Sequence, residues 1–211
     1  MSDHVIRHPG VARPNAFTQE ELGWVPWLEP KPLAELTDDD YVALVERSRA
    51  ANPYFRLLVR DPVVLGARTR ADNDIFYNTD AGLARAEREL SAAATSRTNG
   101  CLYCASVHSR FASLQAPSRR DDVQRLLDEG IDSEQDERWT AIVEAAAALT
   151  ATPVHFGRAH IEALRAAGLD DQAIVDVIHS AAFFNWANRL MLSLGEPTPP
   201  GSPRERPVSG R

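Results

Sequence analysis

Only two cysteines occur in the 211 residues, which excludes a disulfide-stapled scaffold. No run of lysine and arginine is present and the formal charge is -7, so nucleic acid and anionic membrane surfaces are poor partners. No stretch approaches the roughly 20 apolar residues of a membrane-spanning helix. The first nine residues, with charges and Pro9, lack an apolar signal core. These absences predict a cytoplasmic protein. No window alternates for long in the β manner, and no internal repeat is visible.

What remains is a chain with 44% hydrophobic and 25% charged residues, long enough for one well-buried core. Residues 1–36 hold Pro9, Pro14, Pro26, Pro30 and Pro32 around Trp24 and Trp27 and predict an extended arm. Such an arm either lies over its own core or buries its tryptophans against a neighbouring subunit. Residues 37–195 read as one helical domain. Thr37 before three aspartates is an N-cap, opening a helix expected to end near Asn52-Pro53. Helical spacing follows from Pro53, from Pro62, from Leu83 to Arg97, and after Pro117-Ser118 to a stop at Gly130. Further helices are predicted over 133–150, from Thr152-Pro153 to Gly168, and from Asp170 to Gly195. The sum is an all-α bundle of about seven or eight helices. Residues 196–211, rich in proline, glycine and serine, have the composition of a disordered tail.

The chemistry concentrates in the stretch Thr98-Asn99-Gly100-Cys101-Leu102-Tyr103-Cys104-Ala105-Ser106-Val107-His108. If a helix opens after Asn99-Gly100, Cys101 and Cys104 are i and i+3, and Cys104 and His108 are i and i+4, all neighbours on one face. The first helical turn stabilises a thiolate, so a dithiol there reads as reactive. A thioredoxin-like fold would put a strand upstream, where this sequence has the Ala-rich helical run from Leu90 to Ser96. A zinc site would need Glu89 as fourth ligand beside Cys101, Cys104 and His108. Two inert buried cysteines are the plain alternative.

Arg88-Glu89-Leu90, then Asn99-Gly100-Cys101-Leu102-Tyr103-Cys104, then His108, resembles the signature of the AhpD-like alkylhydroperoxidases within the carboxymuconolactone decarboxylase superfamily. Glu89 lies twelve residues before Cys101, as that pattern has it. The segments Leu164-Arg165-Ala166-Ala167-Gly168-Leu169 and Asn185-Trp186-Ala187-Asn188-Arg189 resemble the peroxidase-related branch, so the likeness spans about residues 40–195. The resemblance implies an all-helical fold that forms homo-oligomers, commonly trimers or hexamers, and dithiol peroxidase chemistry without haem, metal or other cofactor. It makes Cys104 the peroxidatic thiolate that becomes a sulfenic acid, Cys101 the resolving thiol, His108 the relay histidine and Glu89 the relay acid. The implied partners are an organic hydroperoxide and an external thiol or dithiol donor. The family's best-studied type has a histidine between the cysteines, where this chain has Tyr103.

From spacing alone, Glu89 reads as an exposed helix glutamate pairing with Arg85 or Arg88, and only the twelve-residue interval of the resemblance favours the relay role. Tyr103 either donates a hydrogen bond to a peroxide oxygen or lines an apolar mouth. Asn185, Asn188 and Arg189 read as structural ties on the last helix, and His155, His160 and His179 do not repeat at metal-ligand spacing. Two other functions fit the same sequence: a cofactor-free decarboxylase or lactone-processing enzyme of the superfamily, and a non-catalytic redox-sensing oligomeric module.

Overall fold

The computed structural model describes residues 5–201. In chain order its elements are strand β1 (Gly23–Pro26), then helices α1 (Asp38–Leu44), α2 (Pro53–Leu58), α3 (Pro62–Tyr77), α4 (Arg85–Thr98) and α5 (Leu102–Gln115). They continue with α6 (Arg120–Glu129), α7 (Glu137–Thr150), α8 (Arg158–Ala166), α9 (Asp171–Leu194) and strand β2 (Gly195–Thr198). The fold is all-α, as its periodicity predicts, with nine α-helices among the described residues in place of seven or eight.

Small side chains make α4 the centre. Every residue from Ala86 to Ser96 is buried, because alanine and serine let α5, α7 and α9 close around all sides of this helix. A helix buried all round must satisfy its polar groups internally. Ser91 Oγ donates to the Val177 carbonyl at 3.0 Å, and Arg88 donates to the carbonyls of Ile75 and Asn78 at 2.6 and 3.1 Å. Around it Leu90, Leu126, Ile142, Val143, Leu164 and Val177 form the main core. Each such side chain contributes about 1.5–3 kcal/mol on burial. A second cluster of Ala43, Leu44, Ala50, Val59 and Leu65 holds α1–α3 together. Between the two layers lies a third, where Trp24, Tyr54, Phe76 and Phe184 meet both cysteines.

Three expected helix boundaries move. The helix opened by Thr37 stops at Val45, whose φ of 64° no continuing helix tolerates. Residues 47–51 form a 3-10 turn instead, drawn toward α3 by Arg49, which donates to Asn73 at 2.8 Å. Thr152-Pro153 does not open α8. That peptide is cis, and the segment folds back on α7 through a hydrogen bond from His155 N–H to the Ala148 carbonyl at 2.9 Å. Gly157 is the N-cap, with its N–H received by His160 Nδ1 at 3.1 Å. Helix α7 starts at Glu137, capped by Asp136 accepting from Trp139 N–H at 2.8 Å.

The N-terminal arm packs on its own chain. Trp24 is buried edge-on to Tyr54, 5.7 Å between ring centroids, while Trp27 N–H donates to Leu194 O at 2.8 Å. The expected tail begins with structure: β2 pairs antiparallel with β1, Trp24 opposite Pro197 and Pro26 opposite Gly195. Two edge strands tolerate these prolines, which is why composition alone misreads residues 196–198. Residues 202–211 of that tail lie outside the described residues. Gly195 is demanded by close approach, since a Cβ there would sit 2.2 Å from the Val25 carbonyl oxygen and 2.3 Å from the Trp24 ring. Gly195→Ala is expected to cost about 2–3 kcal/mol by overpacking. Thermal unfolding would then show a Tm lower by roughly 4–10 °C; an unchanged Tm would mean the clasp carries no stability.

Candidate active site

The turn that delivers the dithiol is set by two residues. Helix α4 ends in a left-handed glycine, Gly100 at φ 73°, whose N–H reaches the Arg97 carbonyl at 3.2 Å, while Cys101 N–H reaches the Ser96 carbonyl at 2.9 Å. This is the Schellman arrangement, in which glycine avoids the Cβ penalty of that conformation. Asn99 then fastens the turn to α9, its Nδ2 donating to the side-chain oxygens of Asn185 and Asn188 at 3.1 Å each. Asn188, fully buried, passes the tie on by donating to Ser96 Oγ at 3.1 Å. Arg189 donates to the Asn185 side chain at 3.0 Å. The three α9 polar residues therefore have the structural role expected of them, and the structure they hold is the cysteine turn.

Cys101 is the N-cap of α5 and Cys104 lies in its first turn; both are buried free thiols. His108 follows one turn later on the same face. Its Nδ1 lies 2.7 Å from Glu89 Oε2, and because a carboxylate only accepts, Nδ1 carries the proton and Nε2 is left as the base. Glu89 is 2% exposed, so it is not a surface helix glutamate, although it also accepts from Arg85 Nε at 3.3 Å. Arg88, the other expected partner, is engaged elsewhere. The imidazole is wedged between Phe184, 3.9 Å between centroids, and Phe76 at 5.2 Å. Its orientation is thus fixed from three directions.

Cys104, His108, Glu89 and Tyr103 share the wall of one cavity of about 170 Å³, whereas Cys101 lies off that wall. Asn52 Nδ2 donates to Tyr103 Oη at 3.5 Å. The two thiols behave as one unit. The Cys104 thiol donates to the Cys101 sulfur and lowers its pKa against the opposing effect of burial, with help from the Cys104 amide. That same donation, then burial and the charge on Cys101, raises Cys104 well above the ordinary thiol range; Asn188 and Arg68 oppose this. The hydrogen bond therefore eases loss of the pair's first proton, favoured at Cys101, and hinders loss of the second.

Residues outside the motif complete the site. Tyr54, Phe76, Arg68 and Phe184 line the cavity but stand on α2, α3 and α9. The available signal was the stripe Leu65, Arg68, Asp72, Phe76, which puts two charges on an otherwise apolar helix face. Among the described residues no three His, Cys, Asp or Glu side chains are grouped to hold a metal ion. No helix among them is long and apolar enough to cross a membrane.

An all-helical protein that presents a CxxC at a helix start to a buried carboxylate–imidazole pair is the class these features define. Residues 62–151 match the carboxymuconolactone decarboxylase family. A peroxidase-related protein from Ralstonia eutropha JMP134, described as an alkylhydroperoxidase AhpD core, is 25% identical, with a TM-score of 0.65 over 81% of this chain and 90% of that one. A peroxidase-related protein from Silicibacter sp. TM1040 is 26% identical, with a TM-score of 0.59 over 68% and 74%. The debrominase Bmp8 shares the fold at 18% identity, with a TM-score of 0.63 over 78% and 88%. No curated protein matches the sequence. The chain is thus similar to the carboxymuconolactone decarboxylase family over residues 62–151, and in fold and sequence to AhpD-like, peroxidase-related proteins.

Proposed function

We propose that this protein is a thiol-dependent peroxidase that reduces organic hydroperoxides through a Cys101–Cys104 disulfide. The observation that carries the reading is the 2.7 Å His108–Glu89 pair on the same cavity wall as Cys104, with Cys101 buried behind it. His108 takes one proton from the dithiol and is held as imidazolium by Glu89. The remaining proton shifts along the Cys104–Cys101 hydrogen bond, which leaves the charge on the sulfur that faces the cavity. Cys104 then attacks the terminal peroxide oxygen: the S–O bond forms, the O–O bond breaks, and the alkoxide leaves as an alcohol with the proton from His108. Cys101 attacks the sulfenic sulfur, S–S forms, and hydroxide leaves as water with the Cys101 proton. An external thiol or dithiol restores both thiols by exchange.

Alkylation of the reduced protein against pH, followed by a slight excess of cumene hydroperoxide, tests this. The expected result is a first midpoint below the ~8.5 of free cysteine and a second above it. Cys101→Ala should bring Cys104 down from that second midpoint, because the donation and charge that raise it are gone. Hydroperoxide should remove both thiols together and leave one intramolecular disulfide. A single ordinary midpoint with slow, unselective oxidation would overturn the reading.

A further inference from the structure

The cavity holds a cation that the peroxide chemistry leaves without a task. Arg68, on α3, is 7% exposed, and its Nε and Nη1 are buried without any hydrogen bond. Its nearest carboxylate, Asp72, lies 3.5 Å from Nη1 but is shared with Arg49 Nη1 at 3.7 Å. The remaining acid nearby, Glu46, is 3.8 Å from Arg49 and largely exposed. Two guanidinium groups thus face one half-buried carboxylate. The Arg68 guanidinium is confined by the rings of Phe55 and Phe183, 5.5 and 5.3 Å from its central carbon. Unmade hydrogen bonds on a buried charged group are costly, and an acceptor entering the cavity would supply them.

The surroundings narrow what that acceptor is. Tyr54 Oη on the same wall is also buried; facing Arg68 it can only accept from that side, and burial pushes its ionisation up, so its own proton remains to donate. Arg68 acts electrostatically on both the Tyr54 phenol and the Cys104 sulfur, which puts the cation within reach of the reacting atom. Phe76, Phe184, Val107 and Met191 line the same cavity and are apolar. At about 170 Å³ it accepts a body of roughly one aromatic ring, since a dry cavity near that size takes benzene. We infer that Arg68 anchors a carboxylate on the substrate, so that, on the peroxidase reading above, the preferred substrate is a small acidic hydroperoxide with an apolar body. The guanidinium fork matches a carboxylate bidentately, and Tyr54 adds a third donor.

The test compares cumene hydroperoxide with its 4-carboxylate in steady-state turnover with a dithiol donor, for the wild type, Arg68→Gln and Arg68→Lys. The wild type should favour the acid in kcat/KM by tenfold or more. Arg68→Gln should bring the acid-to-neutral ratio to about one, and Arg68→Lys, which keeps the charge but not the fork, should lower it at least threefold with an unchanged circular dichroism spectrum. If both substrates slow in the same proportion, Arg68 acts only on the thiolate and the anchor is wrong; no preference in the wild type overturns it equally. Calorimetric titration with the unreactive alcohol, 4-(2-hydroxypropan-2-yl)benzoate, separates the two proposals. Arg68-dependent binding without hydroperoxide turnover would sink the peroxidase reading and keep the anchor. Turnover with binding indifferent to Arg68 would do the reverse.

Discussion

Serine at position 104 is expected to abolish catalytic reduction of organic hydroperoxides, lowering the rate by a factor of about 10³ or more, which corresponds to roughly 4 kcal/mol of barrier. The hydroxyl is a far weaker nucleophile toward O–O bonds, and it cannot end in a disulfide. Cys104 is also the thiol that faces the cavity, so Cys101 cannot take over from its place off the wall. The companion variant behaves differently. Cys101→Ser should still consume about one equivalent of hydroperoxide per protein and then stall, because the sulfenic acid forms but nothing resolves it. Counting equivalents of hydroperoxide consumed, without and with a dithiol donor, distinguishes the two. Wild-type turnover in Cys104→Ser would end the assignment.

Glu89→Gln is expected to have the next largest effect, a loss in kcat/KM of about 10²–10³. Glutamine can still accept from His108 Nδ1, but it removes the negative charge that supports an imidazolium, in a site where Glu89 and His108 are almost wholly out of water. A mere structural defect would produce some loss as well, so the decisive readout is a double-mutant cycle. If Glu89 acts through the imidazole, Glu89→Gln adds little once His108→Gln is in place. Full additivity of the two losses would mean that the carboxylate serves packing and not the relay.

Both expectations rest on contacts of different legibility. The spacing of Cys101, Cys104 and His108 could be read from the sequence because helical neighbours lie three and four residues apart, and the Asn99-Gly100 pair marks the helix end that sets their phase. The likeness of the motif to the AhpD-like pattern singled out Glu89, where spacing alone left it free to pair with Arg85. Its position across from His108 depends on how α4 and α5 pack, and the answer is a carboxylate shared between Arg85 and His108. Arg68, Tyr54 and Phe184 gave no comparable sign. A buried arginine on α3 looks like a surface cation until Phe55, Phe183 and the cavity are assembled around it. The proline-rich C-terminal segment misled for a similar reason. Composition reports the backbone entropy of an isolated segment and is silent on a partner strand more than 150 residues away, such as the one β2 finds in β1.

By itself the sequence determined the helical class, the N-caps Thr37 and Asp170, the stops at Gly130 and Gly195, the Asn99-Gly100 turn and the shared face of Cys104 and His108. Each follows from interactions within about one helical turn, where chain connectivity holds the groups together whatever the rest of the molecule does. Only the tertiary structure decided that α1 stops at Val45, that Trp24 is buried on its own chain, that Asn188 locks the cysteine turn and that Arg68 stands in the cavity beside Cys104. Those outcomes turn on which buried polar groups find partners and which apolar faces close over them, and both are properties of the assembled core.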